Sequence, residues 1–306
     1  MKKNALGIYM TVLPTEEILS ACAKAGICCL EISILGEEIA SLLPESENIR
    51  RLAEKYGICL WSMHLPFGRE TKNFCAPDAD ERERTLAMQI ENLKIAHALG
   101  IERVVIHGGI PLPQTERKKY FEIAKDNIRI LQEAASRLGI AVCVETLMPS
   151  CIGRNSSEIL EILSAHPDLR VCLDPNHLLG ENHADLIRRL GNRIVTTHIS
   201  DYDFIDERHW LPGEGKIDWP LIMKTLDEVG YEGPILYEVS PWKAPKTIER
   251  RPLAFSDYRE NYEALMRGAI PKPIGKPIES ICQENSFASF YLQTYGLPYE
   301  ETPALG

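Results

Sequence analysis

The chain has 306 residues, 44% apolar and 25% charged, and its 34 basic against 44 acidic side chains leave a formal net charge of −10. That length and apolar content support one large core, and the acidic balance argues against nonspecific attraction to nucleic acid or anionic lipid. No stretch reaches the roughly 18 apolar residues of a membrane span, the start MKKNALGIYM has no leader-like apolar core, and nine scattered cysteines without a CxxC pair point to a reducing, cytoplasmic setting.

Short apolar runs alternate with longer amphipathic stretches. The runs at 5–10, 28–34, 59–65, 103–109, 141–147, 170–176, 194–200 and 234–240 read as strands covered on both faces, because they lose strict apolar–polar alternation. Helical patterns lie at 15–25, 46–56, 79–99, 116–138, 156–165, 182–190, 218–229 and 255–267. The first has Thr15 as its N-cap and Glu16 and Glu17 in its first turn, where the helix dipole favours acids. In the third, Leu86, Ile90, Leu93 and Leu99 are expected on the buried side. Four helices end in a glycine followed by isoleucine, at Gly26, Gly57, Gly100 and Gly139, a residue suited to the left-handed C-cap.

This repeated unit predicts an α/β fold, a (β/α)8 TIM barrel over residues 1–269. An open doubly wound sheet has no support, since GIYMTVLP at the first strand contains no glycine-rich nucleotide loop. Residues 270–306 form a C-terminal extension, proline-rich at first and then carrying four aromatics in SFASFYLQTYGLP. Such a stretch is expected to cover the barrel's outside or a second subunit, which would make a homo-oligomer, or to remain a partly ordered tail.

Reactive side chains of these barrels collect at the C-terminal ends of the strands. Those positions hold His64 on strand 3, His107 on strand 4, Glu145 on strand 5, Asp174 with His177 on strand 6, His198 followed by Asp201 on strand 7, and Glu238 on strand 8. A buried carboxylate is unfavourable unless paired or metal-bound, so carboxylates and imidazoles on one rim point to one divalent cation. A set without thiolates favours Mn2+, Co2+, Mg2+ or Zn2+. Cys143 and Cys172 lie two residues before Glu145 and Asp174 and should share their face, deeper in the barrel. Taken singly, His64 also reads as a packed core histidine, His97 and His166 read as surface or packing residues, and His183, after Asn182 at a helix start, is given no role. The loop at 198–219 adds Arg208, His209 and Trp210 ahead of PGEG. That set suits hydroxyl or carboxylate recognition with Trp210 as an apolar wall, or else a surface loop anchored by Trp210.

The ordered set SMHLPF (62–67), VVIHGG (104–109), VCVET (142–146), LDPNH (173–177), THISD (197–201), ERHWLPGEG (207–215) and LYEVS (236–240) resembles the xylose-isomerase-like TIM barrel superfamily. Its members include sugar and sugar phosphate isomerases and epimerases, inosose-processing enzymes and DNA-repair enzymes of the endonuclease IV type. The resemblance spans roughly residues 5–268. Similarity to the ketose 3-epimerases implies one divalent metal held by Glu145, Asp174, His198 and Glu238. It also implies that Glu145 and Glu238 are the catalytic pair, exchanging a proton with the substrate carbon through a metal-stabilised enediolate. His177 would match a substrate-binding histidine, and His209 stands where some of these epimerases carry arginine, with Arg208 adjacent. His64, His107, Phe67 and Trp210 are further expected substrate contacts, the last two as apolar walls. Return of the proton gives epimerisation or isomerisation, and loss of a β-hydroxyl gives dehydration, as in inosose dehydratases.

The endonuclease IV pattern of nine zinc ligands also falls on this chain, at His64, His107, Glu145, Asp174, His177, His198, Glu207, His209 and Glu238, with Glu207 where that family has aspartate. The net charge of −10 and the acidic loop SILGEEIASLLPES after strand 2 weigh against a DNA partner. The expectation is a sugar or sugar phosphate isomerase or epimerase acting on a small carbohydrate or polyol, with a zinc phosphodiesterase and a noncatalytic sugar-binding barrel as alternatives.

Overall fold

The computed structural model describes residues 3–278 apart from 35, 69–71, 112, 179–180 and 206, so the aromatic stretch of the extension lies outside the described residues. The strands are β1 (Leu6–Met10), β2 (Cys29–Ile32), β3 (Cys59–His64), β4 (Arg103–Ile106), β5 (Ala141–Glu145), β6 (Arg170–Leu173), β7 (Ile194–Thr197) and β8 (Ile235–Tyr237). Between and after them run α1 (Glu16–Lys24), α2 (Leu42–Lys55), α3 (Ala79–Ala98), α4 (Arg117–Ser136), α5 (Ser156–Leu163), α6 (His183–Leu190), α7 (Trp219–Glu228) and α8 (Phe255–Met266). The ladders are all parallel and run in the order β7-β6-β5-β4-β3-β2-β1-β8. The ring closes where Ile199 bridges Tyr237: the Ile199 amide donates to the Leu236 carbonyl at 2.7 Å, and the Glu238 amide donates to the Ile199 carbonyl at 3.2 Å. This is the expected (β/α)8 barrel.

Local chemistry sets the element boundaries. The Thr15 hydroxyl caps α1 by accepting from the Ile18 amide at 3.3 Å, and Asp78, Asn155, Asn182 and Asp218 cap α3, α5, α6 and α7 in the same way. Gly26, Gly57, Gly100 and Gly139 all take left-handed φ values, between 67° and 76°. The expected helix–glycine–strand unit is therefore a physical repeat.

The main core lies between the strands and the surrounding helices, while Val105, Cys143 and Cys172 form a separate buried cluster. Because strand side chains alternate in direction, those three sit on the same face as His107, Glu145 and Asp174, one step deeper. They form the apolar floor beneath a polar mouth.

One expectation needs correction. Leu86 and Ile90 of α3 are only partly buried, and the inward face is instead Thr85, Gln89, Asn92, Leu93, Ile95 and Ala96. The Gln89 side-chain amide donates to the Pro66 carbonyl at 2.6 Å. It satisfies a backbone acceptor in the loop after β3, which favours a polar residue over leucine there. The proline-rich start of the extension also has some regular structure. In it, β10 (Lys276–Pro277) pairs antiparallel with β9 (Ile248–Glu249), which follows the β8 loop.

Candidate active site at the barrel mouth

Glu145, at the end of β5, is the hub. Its Oε1 lies 2.9 Å from His198 Nδ1, and its Oε2 lies 3.1 Å from both His64 Nε2 and His107 Nε2. Burial opposes a charge there, but the His198 and His107 rings outweigh it and hold the carboxyl well below its usual range. Asp174 and Glu238 approach from either side. Each presents a buried oxygen without a hydrogen-bond partner, Oδ2 and Oε2 respectively, although His177 Nδ1 and His198 Nδ1 stand 3.2 Å away. Burial, reinforced by Glu238 and Glu145, pushes Asp174 up to about 7. Burial also opposes ionisation of Glu238, but His198 and His209 bring it down to about 2.

The histidines are oriented by a common rule. A carbonyl can only accept, so a ring nitrogen facing one must carry the proton. His64 Nδ1 faces the Leu65 carbonyl at 2.9 Å, His177 Nδ1 faces the Thr146 carbonyl at 3.1 Å, and His209 Nδ1 faces the Glu238 carbonyl at 3.2 Å. In all three, Nε2 is turned toward a carboxylate: Glu145 for His64, and Glu207 for His177 and His209, at 3.5 and 2.6 Å. His198 is held the other way round, with Nε2 on Glu31 Oε1 at 2.7 Å and Nδ1 toward Glu145 and Glu238. One nitrogen fixed and the other presented to an acidic cluster is how metal-ligating imidazoles are arranged.

Among the described residues, three groups accordingly bring ligating atoms within 4.8 Å of one another: Glu145, Asp174, His198 and Glu238; His64, His107 and Glu145; and His177, Glu207 and His209. Unpartnered oxygens of Asp174 and Glu238 and the ready-turned Nδ1 of His198 fit a divalent cation in the first group.

The other anticipated contacts fall as follows. Phe67 stacks near His107, at 4.0 Å between ring centroids, and near His64 at 4.9 Å. It forms the apolar wall beside both. Arg208 pairs with Asp203 at 2.9 Å and lies over the Trp210 ring. Trp210 itself is buried and bridged through its backbone to Asp201, the geometry of an anchor. Asp201, three residues past His198, stands apart from the three groups. It organises the loop, accepting from the amides of Tyr202, Gly213 and Ile217 and from the Trp219 indole. It also explains one glycine of PGEG: a Cβ on Gly215 would come within 2.3 Å of Asp201 Oδ1. His209 adopts a left-handed φ of 52°, and the Asn176 side chain accepts from its amide at 3.2 Å.

Sequence reasoning passed over Glu31, Tyr9 and Asn176. Glu31 is fully buried, accepts from Ser62 Oγ at 2.6 Å and fixes His198. A lone glutamate inside the apolar run CCLEISI was the available signal. Tyr9 packs edge-on against His64 and His198 and left no such mark.

The family model described as a xylose isomerase-like TIM barrel matches residues 19–256. The chain belongs to that family. A 2-oxo-tetronate isomerase of Pectobacterium atrosepticum is 28% identical over 245 residues, covering 77% of this chain and 90% of its own. A D-psicose 3-epimerase of Ruminiclostridium cellulolyticum is 25% identical over 232 residues, covering 71% and 75%. Among solved structures, a D-psicose 3-epimerase crystallised in the presence of D-fructose superposes with a TM-score of 0.73 at 19% identity, covering 87% of this chain and 99% of its own. A 3-keto-D-glucoside 4-epimerase from E. coli gives 0.69 at 16% identity, covering 87% and 100%. The named relatives are sugar isomerases and epimerases with the same barrel.

Proposed function

We propose that this protein is a divalent-metal-dependent sugar isomerase or epimerase that moves a proton on the carbon next to a carbonyl. The observation that carries this reading is the Glu145–Asp174–His198–Glu238 group, with two orphaned carboxylate oxygens and an imidazole locked by Glu31. These four residues would hold Mn2+, Co2+, Mg2+ or Zn2+, which supplies Lewis-acid polarisation of the substrate carbonyl. The names of the relatives support sugar chemistry on this scaffold.

The chain's own residues do the rest. The Glu238 side chain is 15% exposed and reaches the open mouth. Its carboxyl, brought down to about 2 by His198 and His209 against the effect of burial, is ionised at neutral pH, the protonation state a base requires. Glu145, across the barrel, serves the opposite face of the substrate. His177 and His209 hold substrate hydroxyls. Phe67 excludes water beside His64 and His107.

The test follows solvent deuterium into a panel of ketoses by NMR in the presence of Mn2+. Incorporation at the carbon beside the carbonyl is expected, and Glu238→Gln and Glu145→Gln should each slow it at least about 100-fold. Near-native exchange in either variant at full metal occupancy would remove that residue from the proton path. Loss of a β-hydroxyl after exchange would identify an inosose-type dehydratase instead.

A zinc phosphodiesterase of the endonuclease IV type is the second reading. The two additional donor groups, His64–His107–Glu145 and His177–Glu207–His209, favour it, while the net charge of −10 opposes it. Elemental analysis separates the two, since one ion per chain fits the isomerase and three zinc ions fit the phosphodiesterase.

A further inference from the structure

A cavity of about 510 Å3 opens beside the candidate site, on the side of β1 and the β8 loop, and it runs up to Glu238 and His209. Its character changes away from those two residues. Tyr9, Ile18, Val239, Leu253, Phe255 and Trp242 are among the side chains of its wall. Away from Glu238 and His209 the polar side-chain groups are the hydroxyls of Thr11, Ser240 and the tyrosines and the Trp242 indole N–H, and among the described residues no lysine, arginine, asparagine or glutamine lines it. The rim is apolar as well, with Val12 52% exposed and Trp242 78% exposed. Exposed apolar surface continuous with a polar catalytic cluster marks a ligand groove more than a stability feature.

A polyhydroxylated sugar needs a donor or acceptor for each buried hydroxyl, since an unpaired one is unfavourable to bury. This wall provides few. A phosphate needs a cation or a cluster of amide donors, and among the described residues the lining beyond His209, which is already paired with Glu207, has no lysine or arginine. The surface is complementary to an uncharged apolar group carried by the sugar and placed beyond Glu238. Resting on the isomerase or epimerase reading, we infer that the substrate is a keto sugar bearing an uncharged aryl or alkyl substituent. The sugar faces the acidic and imidazole groups of β3–β8, and the substituent fills the cavity against Phe255 and Trp242.

Calorimetric titration of the full-length, metal-loaded protein tests this with matched probes: methyl β-D-glucopyranoside, phenyl β-D-glucopyranoside and glucose 6-phosphate. The phenyl glycoside is expected to bind at least about tenfold tighter than the methyl glycoside, and the phosphate no tighter than the methyl glycoside. Trp242→Ala, at an exposed position, and Phe255→Ala should each shrink the phenyl-to-methyl ratio. Equal affinity for the two glycosides, a ratio unchanged in both variants, or preference for the phosphate would each overturn the inference. A phenyl preference that appears only when Phe287, Phe290 and Tyr291 are replaced by alanine would assign the cavity to the chain's own C-terminal segment, and would overturn it too. Deuterium exchange into ketoses, followed in parallel, reads the underlying reaction independently. Exchange without a phenyl preference defeats the inference and leaves the isomerase or epimerase reading standing, whereas a phenyl preference without exchange defeats that reading, and the keto-sugar assignment with it, and leaves only an apolar binding subsite.

Discussion

Glu31 accepts from Ser62 and engages Nε2 of His198, so the other nitrogen of that ring can face only Glu145 and Glu238. Its role is positioning, and Glu31→Gln is expected to weaken metal binding by about 10- to 100-fold. Competition titration of the metal-free protein measures this directly, and an unchanged affinity would show that packing alone sets the ring. Asp174 carries a second prediction. Burial and the neighbouring carboxylates raise it to about 7, so in the metal-free protein it holds a proton that the unfolded chain releases near pH 4. The stabilisation this gives is complete below about pH 4 and lost as pH rises through about 7. A cation replaces that proton. The gain in Tm on adding Mn2+ should therefore grow from pH 5 to pH 8, and a gain that is flat with pH would contradict the assignment of Asp174 as a ligand.

The segment after β7 illustrates what a loop needs in order to present functional groups. Asp201 gathers four donors from residues 202 to 219, and Trp210 is bridged to its backbone. Asn176 meanwhile accepts from the amides of Arg208 and His209. Replacing Asp201 with alanine leaves four donors without an acceptor, and the expected loss is about 3 kcal/mol or more, read by denaturant unfolding. Gly215→Ala should also destabilise the protein, because the added Cβ would meet both Asp201 Oδ1 and the Tyr202 carbonyl at under 2.5 Å. A Gly215→Ala protein with wild-type stability would mean that the loop relaxes freely. The sequence showed PGEG as a turn but not the carboxylate that the turn wraps, because Asp201 reads equally well as a site residue until its partners are known.

The whole barrel has one thin seam. Its β7 and β8 join through the Ile199–Tyr237 bridge, with His198 and Glu238 immediately beside it. A cation held by both would close that seam. At a metal concentration 100 times Kd the folded state should gain about 2.7 kcal/mol, with the strongest slowing of amide hydrogen exchange in β7 and β8. Slowing spread evenly over all eight strands would place the stabilisation elsewhere. Among the described residues no helix is long and apolar enough to cross a membrane. The sequence by itself determined the eightfold alternation, the glycine-marked helix ends and the positions of the acids and histidines at the strand ends. These are local signals, written in apolar periodicity and in residues with special backbone or capping chemistry. Only the tertiary structure decided which nitrogen each histidine presents, that Glu31 stands behind His198, that α3 buries Thr85, Gln89 and Asn92 beside its apolar side chains, and that an apolar cavity adjoins Glu238. Most of these depend on partners tens to hundreds of residues apart, brought within a few ångströms by closure of the barrel, and no local pattern encodes such a meeting.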